Sequence, residues 1–202
     1  ANKAASIDGI KNSVTHLDWL TERRVFMSSE GARIERLLRM VGFGQFVVAN
    51  AEGKMEYVSD SKSRCAGFEF IMGNNWTQFS EDIAKTANKA VRAHSPRPGN
   101  YQIVADPDLI GLILHEALGH AAEGDLVRTK ESVLEGRIGQ RVGSPLVTIV
   151  DQGIVEGGYN LPYDDEGVDK GRCVVVEEGV LKSYLHSRST AYKLHGSPTG
   201  NA

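Results

Sequence analysis

The sequence predicts an α+β protein: strand-rich segments, largely antiparallel, around one buried helix that carries metal-ligating residues. Three observations point there. β-Prone runs are separated by tight turn signals at Ser28-Ser29-Glu30-Gly31, Ala51-Glu52-Gly53-Lys54 and Glu178-Gly179. A strongly apolar stretch containing Leu109, Ile110, Leu112, Ile113, Leu114 and Leu118 follows the helix-start pair Asp106-Pro107. That stretch carries His115, Glu116 and His120.

Taken in order, residues 22–62 read as β-rich. Residues 24–27 and 33–41 flank the first turn and form a hairpin; residues 45–50 make a short apolar strand, and 55–59 return after the second turn. Residues 80–94 are helical: Ser80 can cap, and Ile83, Ala84, Ala87, Ala90 and Val91 recur at helical spacing. Ser95-Pro96-Arg97-Pro98-Gly99 breaks the chain and divides it into residues 1–98, an α/β part with hairpins and one helix, and 99–202, a metal-helix and β-rich part. Residues 101–105 read as a strand. A helix then runs from Pro107 to about Glu123, with Asp106 as N-cap and Gly124 placed to stop it. Because it is apolar almost all round, it is expected to be buried. Residues 128–145, polar and Gly-containing, look like a mobile connection flanking a site. Residues 146–150 form a β-branched run, and 173–177 and 180–185 flank the Glu178-Gly179 turn.

Composition limits the function classes. The chain has 202 residues, 41% hydrophobic and 24% charged, with a formal net charge of −3. It lacks the basic footprint of a nucleic-acid binder, so no nucleic-acid contact is expected. The densest basic cluster, Arg23-Arg24 followed by Arg33, Arg36 and Arg39, reads as solvated strand edges. Cys65 and Cys173 lie far apart and form no metal pair or disulfide framework, which favours a reducing compartment. No apolar run approaches the ~20 residues of a membrane span, and the first residues are no signal peptide. A cytoplasmic location is expected. The absence of an initiating Met and the polar final run Pro198-Thr199-Gly200-Asn201-Ala202 suggest a piece of a longer chain.

His115, Glu116 and His120 need an explanation if their helix is buried, because burying ionisable groups costs several kcal/mol unless something compensates. A metal compensates, since imidazole is its commonest ligand, and an adjacent Glu can act as general base on water. The spacing departs from H-E-x-x-H, whose histidines are four apart on one face. Here they are five apart, and at ~100° per residue regular helix geometry turns the second away by ~140°. A local i→i+5 turn would bring them together, with Gly119 lowering the resistance. The bland alternative is two satisfied core histidines with Glu116 paired to an Arg. Glu123, one turn after His120, reads equally as a substitute ligand, an acceptor for His120, or a carboxylate at a helix end. Asp125 reads as a loop residue and Asp164-Asp165-Glu166-Gly167 as a solvated turn. Cys173 reads as core, His16, His94, His186 and His195 as surface, Trp19 and Trp76 as packing residues.

The wider string from His115 to Asp125, His-Glu-Ala-Leu-Gly-His-Ala-Ala-Glu-Gly-Asp, resembles the signature of the TldD/PmbA metalloproteases, also known as modulators of DNA gyrase. Asp164-Asp165-Glu166-Gly167 resembles the family's DDEG loop. Glu178-Gly179-Val180-Leu181-Lys182 resembles its NGxLK hairpin, with Glu for Asn. Pro198-Thr199-Gly200-Asn201-Ala202 resembles the start of PTGNxR, and Ser28-Ser29-Glu30-Gly31 the NSEG turn, with Ser for Asn. The resemblance implies a zinc peptidase of the TldD type, with metal ligands His115 and His120 and catalytic Glu116. It implies a peptide substrate and a TldE/PmbA-type partner subunit that lacks the His-Glu motif. It further implies that Asp164, Asp165 and Glu166 border the cleft. It also implies a third ligand, a cysteine, downstream of these 202 residues, so this piece alone is expected to hold Zn2+ weakly or not at all and to be inactive. Two other readings compete: a non-catalytic peptide- or partner-binding subunit with a vestigial His-Glu helix, and a gyrase-associated regulatory protein.

Overall fold

Where the sequence places tight turns, the backbone makes them. The computed structural model describes residues 2–202, which divide into two units: residues up to Arg24 with Glu35–Asn100, and Val25–Ile34 with Tyr101–Ala202. The architecture is α+β with antiparallel sheets.

In the first unit, a short helix α1 (Asn2–Ala5) precedes a three-stranded sheet of order β1-β2-β3, formed by β1 (Ile10–Met27), β2 (Arg33–Ala51) and β3 (Lys54–Arg64). The expected strand at 45–50 is the second half of a continuous β2. Here period-two alternation turns Gln45, Val47 and Ala49 inward. The β2–β3 turn places Glu52 and Gly53 at positive φ, which fits a tight hairpin. After α2 (Glu69–Met72), helix α3 (Trp76–Ala90) lays Ile83, Ala84 and Ala87 on Val47 and Ala49; the small alanines allow close approach.

α3 starts earlier than expected. Asn75, not Ser80, caps it by accepting from the Gln78 amide. Ser80 is buried instead and donates to Gln45 Oε1, which Thr15 also reaches, while Gln45 Nε2 donates to Ser13. This network satisfies a fully buried amide. Trp76 packs as expected, stacked on Phe43 with ring centroids 4.4 Å apart, whereas Trp19 is not a packing residue: it is 70% exposed. Arg23 of the basic cluster is solvated and binds Glu35, whereas Arg36 is not: its side chain is only 13% accessible and it pairs with Glu22.

The second unit contains the end of the first hairpin and everything after Asn100. α4 (Pro107–Leu114) begins as expected, with the Asp106 side chain accepting from the Leu109 amide and Pro in the first turn. It continues as a π turn (His115–Gly119) and a 3-10 turn (His120–Ala122), then breaks at Glu123 before α5 (Gly124–Arg128). A three-stranded sheet of order β4-β5-β6 follows: β4 (Ile149–Gln152), β5 (Arg172–Glu177) and β6 (Val180–Leu181). Glu178 and Gly179 both have positive φ, the geometry of a two-residue hairpin turn. α6 (Arg188–Lys193) completes the element order. The core packs Ala122 and Val127 against Val175, Val176, Leu181 and Tyr184, and Cys173 packs against its edge, where burial pushes its thiol pKa up.

Several expectations fail in this unit. α4 has no buried residue; Leu112 is 57% exposed. Its apolar circumference demands a cover, and no described residue supplies one. The strand expected at residues 101–105 does not form. Gly124 opens α5 instead of ending a helix. It is small because a Cβ there would lie 2.7 Å from His186 Nδ1 and 2.8 Å from Thr190 Oγ1. His186 is not a surface residue but is 5% exposed, beneath this close approach. Residues 128–145 form no strand or long helix, yet Leu134 anchors them in the core, where its carbonyl accepts from Tyr184 Oη at 2.6 Å.

Candidate metal centre

The π turn is the feature that builds the site. The His120 amide donates to the His115 carbonyl, an i→i+5 bond that widens the helix by one residue. The extra residue cancels the rotation that regular geometry would impose, and the imidazoles of His115 and His120 meet with centroids 4.6 Å apart. One ligand atom from each of His115, Glu116 and His120 lies within 4.8 Å of the others. Gly119 is not a steric necessity. Its φ of −53° is helical, and an added Cβ would find nothing closer than 3.7 Å.

The site is exposed: the side chains of Glu116 and His120 are 63% and 48% accessible. The cost of burial therefore gives no argument for a metal here; the convergence of donors does. Glu123 Oε1 lies 2.7 Å from His120 Nδ1. An ionised carboxylate can only accept, so the contact calls for a proton on Nδ1, which in the neutral ring puts the lone pair on Nε2. That Nε2 faces Glu116 Oε2 at 3.9 Å. Two imidazoles around one point, one of them oriented by an outer carboxylate and with the Glu116 carboxylate at hand, form an arrangement that suits a zinc site.

The backbone C-terminal to His120 is pinned from outside the helix. The Gly124 amide donates to the Leu185 carbonyl and the Leu185 amide to the Ala122 carbonyl, both at 2.8 Å. Beside the turn opens a cleft of about 850 Å3, whose lining includes His115, Glu123, Thr148, Asp151, Lys170 and Asn201. His115 and Glu123 therefore face the cleft, while Glu116 and His120 stand outside its lining. None of Asp164, Asp165 and Glu166 lines it. Asp164 instead caps its own loop by accepting from the Glu166 and Val168 amides, and its second oxygen accepts from the amide of Ala202, which does line the cleft. Glu166 accepts from the Arg188 amide, and Arg188 pairs with Glu30 at the hairpin end, the residue that begins the Glu-Gly half of the first turn. Sequence reasoning missed Asp151 and Lys170. No local pattern marks them, because strand pairing and loop packing bring them to one place.

Residues 98–202 match the profile of the PmbA/TldA metallopeptidase C-terminal domain. The chain belongs to this family. A family relative from Methanothermobacter thermautotrophicus, named a metalloprotease, is 37% identical over 203 residues, covering all of this chain and 44% of that protein. A metalloprotease TldD homolog from Haemophilus influenzae is 31% identical over 186 residues, covering 89% of this chain and 39% of its own length. A crystal structure from Thermotoga maritima, described as a modulator of a DNA gyrase, superposes with a TM-score of 0.79 at 23% identity, over 100% of this chain and 46% of the other; at that identity it shows the fold alone. The chain thus spans less than half the length of these relatives. Among the described residues, no helix is long and apolar enough to cross a membrane.

Proposed function

We propose that this chain is the metal-binding part of a TldD-type zinc peptidase that hydrolyses peptide bonds. The observation that carries the reading is the π turn, which brings donor atoms of His115, Glu116 and His120 within 4.8 Å of one another. His115 and His120 hold the metal, the latter through Nε2. Glu123 holds His120 in that tautomer and orientation. Bound zinc supplies a Lewis acid that polarises a carbonyl and lowers the pKa of water.

Glu116 is the general base. Its carboxylate, beside the Nε2 face of His120, takes the proton of the attacking water and passes it to the leaving amine. Catalytic zinc sites use three protein ligands, so a third donor is required; the family resemblance assigns it to a cysteine outside these residues. Asp164, Asp165 and Glu166 are not part of the cleft lining: the first two hydrogen-bond Ala202, which is, and Glu166 accepts from the Arg188 amide. The peptide substrate and the TldE/PmbA-type partner rest on family membership, and a cytoplasmic setting rests on the two unpaired cysteines, Cys65 and Cys173.

The test is metal content and peptide hydrolysis of the full-length protein beside its His115→Ala and His120→Ala variants. Loss of both bound zinc and hydrolysis in each variant is expected. Hydrolysis that persists after zinc is lost would overturn the reading.

A further inference from the structure

One wall of the cleft carries a cation whose role the peptidase reading leaves open. We propose that Lys170 anchors a carboxylate of the peptide substrate, either its C-terminal carboxylate or an acidic side chain, in the cleft beside the metal centre. The proposal rests on the peptidase reading and deepens it into a substrate preference.

Lys170 is the one Lys or Arg among the described residues lining this cleft. Its side chain is only 18% accessible and its backbone is fixed: its amide donates to the Pro162 carbonyl, and its Cα lies so close to Gly200 that a Cβ there would stand 2.6 Å away. The ammonium is therefore placed rather than waving in solvent. Asp151 positions it, with Oδ2 at 3.4 Å, and Asn201 Nδ2 donates to that same oxygen at 2.8 Å. The Asn201 bond withdraws negative charge from the Asp151 oxygen. The Lys–Asp contact is too long for a strong hydrogen bond, and an ammonium has three donors, so capacity remains for an incoming anion. An unmodified peptide's only anions near neutral pH are carboxylates, and the wall bearing Lys170 shares its cleft with His115. A carboxylate bound there would fix how far along the peptide the scissile bond falls.

The test uses full-length protein carrying Glu116→Gln, so that bound peptides are not turned over. Calorimetric titration compares peptides of one sequence as C-terminal acid and amide, and, with the terminus amidated, with Asp or Glu against Asn or Gln. One carboxylate form is expected to bind about tenfold more tightly than its neutral match, the scale of a charge-assisted hydrogen bond, and the arm showing it identifies the source. Lys170→Gln should abolish that preference. Equal or undetectable binding of charged and neutral peptides, or a preference that survives Lys170→Gln, would overturn the proposal. Should Lys170→Gln fail to fold, Lys170→Met takes its place in the same comparison, with the same two outcomes. Hydrolysis by protein with Glu116 intact is measured separately, so a failed anchor is distinguishable from a failed peptidase assignment.

Discussion

Glu123 Oε1 sits 2.7 Å from His120 Nδ1, at the residue where the helical backbone turns extended with ψ of 127°. The break that ends the metal-bearing turn thus supplies the carboxylate that orients its second imidazole. Substituting Glu123 by Gln should weaken zinc binding by the full-length protein about 10–100-fold while leaving the fold intact, the usual effect of losing an outer-shell partner. Competitive chelator titration measures this. Unchanged affinity would show that His120 needs no orienting partner.

Glu116 separates binding from chemistry. Full-length Glu116→Gln should retain zinc and a native circular dichroism spectrum but lose peptide hydrolysis by ~10²–10⁴, the contribution of a general base. Retained turnover in a preparation free of contaminating proteases would assign the proton transfer to another residue.

Gly119 tests what holds the π turn. Because an added Cβ would meet only ordinary contacts, the nearest being the Leu114 carbonyl oxygen at 3.7 Å, Gly119→Ala should fold and bind zinc normally. Alanine's better helix propensity should leave stability equal or up to about 1 kcal/mol higher. A large loss of zinc affinity would mean that the turn depends on glycine's backbone freedom.

His186 makes stability pH-dependent. It is buried against the Tyr184 ring and within 3.2 Å of Thr190 Oγ1, and desolvation holds its pKa below the ordinary 6.5. The unfolded chain therefore takes up the proton first as pH falls. The stability associated with the neutral ring is fully present above about pH 6.5 and is lost as pH drops through that value toward the lower folded pKa. Thermal melts between pH 8 and 5 should show a declining Tm, and His186→Gln should flatten the decline. An identical slope in the variant would place the dependence elsewhere.

What the sequence by itself determined is local. Asp106-Pro107 starts α4, Glu178-Gly179 forms its hairpin turn, and two histidines five apart in a helical run force a choice between opposite faces and a widened turn. Each depends on residues a few positions apart, where backbone sterics and hydrogen-bond reach leave few solutions. The family motifs were legible for the same reason: each is a short string. The tertiary structure decided everything that depends on which distant surfaces meet. An apolar circumference marked α4 as needing a cover but could not say whether these residues provide one, and they do not. Ser80 looked like a cap, but a buried Gln45 amide on β2 requires its hydroxyl. His186 looked like any isolated histidine, yet the close approach of Gly124 puts it in the core. Asp151, Lys170 and Asn201 lie on separate stretches of chain, and only the pairing of β4 with β5 and the return of the last residues onto Lys170 place them in one cleft. Burial and long-range electrostatic pairing are properties of packed surfaces, and no periodicity within a single segment encodes its partner.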